Sequence, residues 1–102
     1  MIRVSVMYPN STGATFDMAY YTSKHMPMVQ RLVSTCKGIT AEKGLAGGTP
    51  GSQPTYIAVG HLLFDSVESF EKGFNPHAAE ILGDIPNYTG ITPVIQISEV
   101  TL

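Results

Sequence analysis

The sequence is short of charge, cysteine, tryptophan and long apolar runs, and each shortage excludes something. Charged residues make up 14% of the 102-residue chain while hydrophobic residues make up 43%; typical domains carry about 25% charge. That balance argues against disorder, which needs low hydrophobicity and high charge. It also suggests that part of the surface is covered in the working protein. Six Lys and Arg stand against eight Asp and Glu, for a formal net charge of −2. No basic face is available to neutralise phosphates, so no nucleic-acid partner is expected. No apolar run approaches the roughly 18 residues of a spanning helix, so no membrane segment is expected. Cys36 is the only cysteine, which rules out an intrachain disulfide and a multi-cysteine metal site; it reads as an inert thiol on an apolar helix end. Met1-Ile2-Arg3-Val4-Ser5 shows no apolar signal core. The expectation is a soluble, cytoplasmic protein in which the N-x-[ST] sites at Asn10 and Asn87 are accidental.

What is present reads as one domain over residues 1–102, without repeat or linker. Ile2, Val4, Val6 and Tyr8 alternate with Arg3, Ser5 and Met7, the period of a strand. Thr15 to about Thr35 reads as a helix, because Met18, Tyr21, His25, Met28, Val29, Leu32 and Cys36 recur at spacings of three and four. Thr15 suits its N-cap and Gly38 its end. Pro27 removes a donor and predicts a kink near His25-Met26. Ile39 to Ala46 is a weaker strand, and Gly47 to Pro54 a connector that lacks the Gly-Lys-Ser/Thr of a phosphate loop. Thr55 to Phe64 is the most apolar strand. Asp65-Ser66-Val67-Glu68 opens a second helix, His77 to Gly83 adds a short one, and Val94 to Val100 is the last strand. The order β-α-β-β-α-β predicts an α+β, ferredoxin-like fold: a four-stranded antiparallel sheet with both helices on one face.

In such a fold one sheet face stays open, yet the third strand is apolar on both sides: Ile57, Val59 and Leu63 on one, Tyr56, Leu62 and Phe64 on the other. Three large side chains are worth roughly 5–9 kcal/mol of burial before association costs. A second copy packed sheet to sheet, a homodimer, is the simplest cover.

Among residues that carry chemistry, His25 is the most informative. The stripe places it on the sheet-facing side, one turn after Tyr21. Desolvation there disfavours the imidazolium and leaves a neutral ring. It reads either as a core histidine bonded to backbone or as a general base, with Tyr21 orienting it or delivering a proton. His61 lies mid-strand, either packed at an interface or forming a second pocket wall. Tyr8, Tyr21, His25, Phe64 and Tyr88 together suggest an apolar pocket with a few polar tips. Asn87 and Tyr88 can donate to a ligand oxygen. The three histidines are widely spaced, with no His-x-x-x-His pair and no carboxylate locked beside any of them, so no metal is expected.

Phe16-Asp17-Met18-Ala19-Tyr20-Tyr21 followed by His25-Met26-Pro27 resembles the helix signature of EthD-type proteins. Pro86-Asn87-Tyr88-Thr89 with Pro93 to Val100 is similar to the same group, and the likeness runs over essentially the whole chain. It implies a dimeric α/β-barrel, in which two ferredoxin-like protomers face each other through their sheets. The family is named for a gene linked to ethyl tert-butyl ether degradation, where it accompanies a cytochrome oxygenase system. Its members are often called reductases, but this sequence holds no nucleotide or flavin fingerprint, so no cofactor is expected. The resemblance carries over His25 by residue, with Tyr20 and Tyr21 before it.

Three functions compete at this point. One is a cofactor-independent enzyme that binds a small hydrophobic carbonyl or aromatic compound between the first helix and the sheet. There His25 and Tyr21 would be catalytic, and Tyr8, Tyr20, His61, Phe64, Asn87 and Tyr88 would bind substrate. The second is a non-catalytic binder or accessory to a partner oxygenase. The third, a haem-handling protein, has only the histidines in its favour.

Overall fold

A computed structural model describes residues 1–102. Strand β1 (Ile2–Pro9) leads into α1 (Met18–Tyr20), a π-helical turn (Tyr21–His25) and α2 (Met26–Leu32), which form one rod. Strands β2 (Gly38–Lys43) and β3 (Tyr56–Phe64) follow, then α3 (Val67–Phe74) and α4 (Ala78–Gly83), joined by a 3₁₀ turn at Asn75–His77. A further 3₁₀ turn (Ile85–Asn87) precedes β4 (Val94–Glu99). The strands pair antiparallel in the order β2-β3-β1-β4. With the helical segments on one face, this is the ferredoxin-like α+β arrangement that the element order implies.

The covered face follows from the alternation. Val4, Leu62 and Phe64 are buried under the helices against Val29, Val33 and Ile81, and Tyr8 and Ala58 against Tyr21, Met26 and Tyr88. The other face carries Arg3, Ser5, Met7, Ile57, Val59, His61 and Leu63, set by the β1–β3 register of Ser5 opposite His61. The helices stop short of β4. Ile95 and Ile97 pair with the inward-facing Val6 and Val4, yet remain 51% and 42% exposed.

The first rod departs from a simple helix in three ways, each with a local cause. Its N-cap is Asp17, not Thr15: the Asp17 carboxylate accepts from Tyr20 N at 3.0 Å. Thr15 is held outside the helix, its carbonyl accepting from Thr89 Oγ1 at 2.7 Å, and Phe16 bridges to Thr89. The expected kink is a π turn, closed by the Met26 N–H on the carbonyl of Tyr21, five residues back. Pro27 has no N–H, and its ring crowds the preceding turn; the wider π turn relieves both. Thr22 and Ser23 occupy loosened carbonyls by back-bonding to Met18 and Ala19 at 2.9 and 2.6 Å. Finally, the rod ends at Leu32 rather than Thr35. Val33-Ser34-Thr35 is a weak helix run, and Thr35 is drawn off to donate to the Ser69 carbonyl at 2.7 Å. Gly38 therefore opens β2 instead of closing the helix.

Strand β2 also ends early, at Lys43, leaving Leu45 exposed. Gly44 lies so close to the Tyr56 carbonyl and the Pro54 ring that a β-carbon would not fit. The chain can turn away there only as glycine.

Candidate functional site

The π turn sets the site. Tyr21 and His25, four residues apart at its two ends, both point inward, 1% and 4% exposed. Their rings stack at 5.6 Å with planes 15° apart. Opposite them, Tyr8 from the end of β1 and Tyr88 from the loop before β4 share a hydrogen bond of 2.6 Å between hydroxyls. Tyr88 also lies against the His25 ring, centroids 4.7 Å apart, and Phe16 closes the group edge-on to Tyr8 and Tyr21. Burial raises the hydroxyl pKa values of Tyr8, Tyr21 and Tyr88 above the ordinary range. All three therefore stay protonated at neutral pH; within the Tyr8–Tyr88 pair one hydroxyl donates and the other accepts.

His25 is anchored from behind by Asp84, which the reading of local spacing missed. Nδ1 of His25 lies 2.9 Å from Asp84 Oδ2. Asp84 Oδ1 accepts from the Tyr20 hydroxyl at 2.7 Å and from Asn87 Nδ2 at 2.9 Å. Burial lowers the pKa of His25 against the pull of Asp84, so the ring is neutral at pH 7. For Asp84 burial works upward, but donation by Asn87, His25 and Tyr20 outweighs it and holds the carboxyl below its ordinary value. Nε2 of His25 has no hydrogen-bond partner in the chain, and no unsatisfied buried side-chain atom exists, so that nitrogen is accessible.

His25, Tyr8 and Tyr21 line one narrow cleft of about 70 Å³ between the helices and the sheet, which opens partly to solvent. Thirteen of its 15 lining residues are hydrophobic, among them Val6, Met26, Leu62, Phe74, Ile85 and Ile95, and none is a lysine, arginine or carboxylate. A cleft of this kind admits an apolar body and addresses it with few polar atoms. No three His, Cys, Asp or Glu side chains converge as a metal site would require.

The other predicted residues fall in different places. Tyr20 and Asn87 reach Asp84 rather than the cleft. Tyr88 backs the cleft through Tyr8 and His25. Phe64 is fully buried against Phe70 and does not line the cleft. His61 does not line the cleft of His25. It stands on the open sheet face, 3.0 Å from both Ser5 Oγ and Glu42 Oε1, because odd positions of β3 point away from the helices.

Residues 10–92 match the EthD domain. The chain belongs to the EthD family. An EthD-like protein of Ralstonia eutropha is 54% identical, with a TM-score of 0.93 over 99% of this chain and 92% of that one. An uncharacterized 11.0 kDa protein from the thcB–thcC intergenic region of Rhodococcus erythropolis is 30% identical, over 100% of this chain and 99% of its own. The fold alone is shared with a dimeric protein of ferredoxin-like fold from Bacteroides fragilis, 11% identical, with a TM-score of 0.60 over 97% and 95% of the two chains. The EthD match includes Tyr21, His25, Asp84 and Tyr88 of the site, whereas Tyr8 lies before it.

Proposed function

We propose that this EthD-family chain binds a small, uncharged, hydrophobic carbonyl or aromatic compound in the cleft and carries out cofactor-independent acid–base chemistry on it. The observation that carries this reading is the neutral, Asp84-anchored His25, which lines an apolar cleft and whose Nε2 has no partner in the chain. In this reading Nε2 takes a proton from the ligand, while the hydroxyls of Tyr8 and Tyr21 donate to the oxygen on which charge develops. The lack of any cation in the lining disfavours carboxylates and phosphates.

The working unit in this proposal is a homodimer that covers the open sheet face. The support is the apolar content of that face (Met7, Ile57, Val59, Leu63 and the 49% exposed Val94) and the dimeric state of the Bacteroides neighbour.

The test is solvent-deuterium exchange at the α-carbon of an aryl ketone probe such as acetophenone, after native mass spectrometry for co-purified ligand. Exchange by the wild type that His25→Gln abolishes supports the chemistry. Saturable binding without exchange moves the reading to a non-catalytic binder that serves a partner oxygenase. Neither binding nor exchange across neutral aromatic ketones and phenols removes the proposal.

A further inference from the structure

We propose that Asp84 is a positioning residue that fixes the tautomer of His25, keeping the ring proton on Nδ1 and Nε2 as a bare acceptor toward the cleft. The donors around Asp84 decide where the ring proton sits. An ionised carboxylate only accepts. Oδ1 of Asp84 already receives two hydrogens, from the Tyr20 hydroxyl at 2.7 Å and Asn87 Nδ2 at 2.9 Å. Oδ2 faces His25 Nδ1 at 2.9 Å, and between an acceptor and a ring nitrogen the hydrogen has to come from the ring. A neutral imidazole carries one hydrogen, so Nε2 has none. The pair is largely shielded, with side chains 5% and 15% exposed, so water does not readily exchange for either partner.

The same donors decide what an amide would do at this position. In Asp84→Asn the two donors, Tyr20 and Asn87, continue to demand an oxygen at the Oδ1 position. The amide NH₂ is then turned toward His25 and donates to Nδ1, which sends the ring proton to Nε2. Tyr20 and Asn87 thus fix which end of the side chain at position 84 the histidine meets. The carboxylate sits at the start of the Ile85–Asn87 turn, where it gathers three elements: the rod through Tyr20 and His25, its own position after α4, and the turn through Asn87.

Only the catalytic consequence rests on the proposed function; the tautomer is read on the ligand-free chain. The measurement is long-range ¹H–¹⁵N correlation of the histidine rings in the uniformly ¹⁵N-labelled protein at pH 7.5. The expected wild-type result is a single Nδ1–H form for His25. Asp84→Asn is expected to invert it to Nε2–H, and Asp84→Asn with Tyr20→Phe and Asn87→Ala to give a mixture, because the amide is then free to turn. In the exchange assay Asp84→Asn is expected to lose about 10²–10⁴-fold, with probe affinity little changed. An Nε2–H ring or a mixture in the wild type overturns the inference, and so does a folded Asp84→Asn that keeps Nδ1–H. If the variant does not fold, the wild-type spectrum still decides. A chain with Nδ1–H that neither binds nor exchanges any probe removes the proposed function and leaves this inference standing.

Discussion

Gly60 and Tyr21 touch across the helix–sheet interface: the tyrosine hydroxyl occupies the space that a β-carbon on residue 60 would need, with Met26 alongside. The inward position of Tyr21, and with it the stacked His25, depends on that missing side chain. Gly60→Ala forces the rigid phenol aside in a packed core, a change that costs about 1–3 kcal/mol. Urea unfolding monitored by circular dichroism is expected to show that loss, with a weakened response of the cleft to the ketone probe. An unchanged midpoint contradicts the contact.

Gly83, the last residue of α4, is the opposite case. No atom lies within 4 Å of where its β-carbon would go, and its φ is not positive. Gly83→Ala is expected to raise stability by about 0.4–1 kcal/mol by restricting the unfolded chain. The same urea titration checks it; a loss comparable to that of Gly60→Ala would mean that the end of α4 is not as open as described.

The layout of strands and the burial of His25 could be read from periodicity, because both are local repeats that a packed face imposes. Ile2-Val4-Val6-Tyr8 and the Met18-to-Leu32 stripe point where their spacing says. Asp84 could not be read that way. It lies 59 residues from His25 and meets it only because α3 and α4 return the chain to the rod. The sole local sign was an acidic residue three positions before Asn87 in a turn. The face of His61 follows from strand parity, whereas its role beside Ser5 and Glu42 depends on register between three strands. Ends of elements were misjudged where side chains rather than propensity decide: Asp17 displaces Thr15 as cap, and Thr35 leaves the helix for Ser69.

The neutral state of His25 makes stability pH-dependent in a defined direction. Its pKa in the folded chain lies below the ordinary value of about 6.5, so unfolding lets the ring take a proton that the folded chain refuses. Between the ordinary value and the folded value the unfolded chain binds more protons, and stability falls as pH falls. Asp84, also lowered, adds a loss that begins only below the ordinary value of 3.8. Urea midpoints between pH 7.5 and pH 5 are expected to drop for the wild type and to drop less for His25→Gln. Equal slopes for the two would mean that His25 does not titrate as described. The exchange assay, in turn, is expected to stay flat from pH 8 down to the ordinary histidine range and to fail only below it.

The Tyr8–Tyr88 pair lends itself to a double-mutant cycle. Both residues are buried, and the 2.6 Å bond joins their hydroxyls directly, with the Tyr21 hydroxyl also interacting with that of Tyr8. Removing the Tyr8 hydroxyl leaves that of Tyr88 unpaired, a cost of about 1–3 kcal/mol, and removing the Tyr88 hydroxyl deprives Tyr8 of its 2.6 Å partner, whereas removing both replaces the pair by two apolar rims. Tyr8→Phe and Tyr88→Phe are each expected to destabilise, and the double variant to lose clearly less than the sum, with a coupling of about 0.5–3 kcal/mol. Additive losses would show that the two hydroxyls do not depend on each other.

The open sheet face supplies the test of assembly. Val59 and Met7 are register neighbours at its centre, and Val59 also sits opposite Glu42 on β2. A dimer formed through this face would bury Val59, so Val59→Lys would place a charge in the middle of an apolar seam without touching the helix-covered core. Size exclusion with light scattering at micromolar concentration is expected to give twice the 11.0 kDa chain mass for the wild type and the single-chain mass for Val59→Lys. Ile97→Lys is the companion variant: it changes an apolar residue, 42% exposed, on the helix side of β4 and should leave the dimer intact. A monomeric wild type removes the dimer from the proposal. A dimer disrupted by Ile97→Lys but not by Val59→Lys would move the seam to the uncovered helix side of β4.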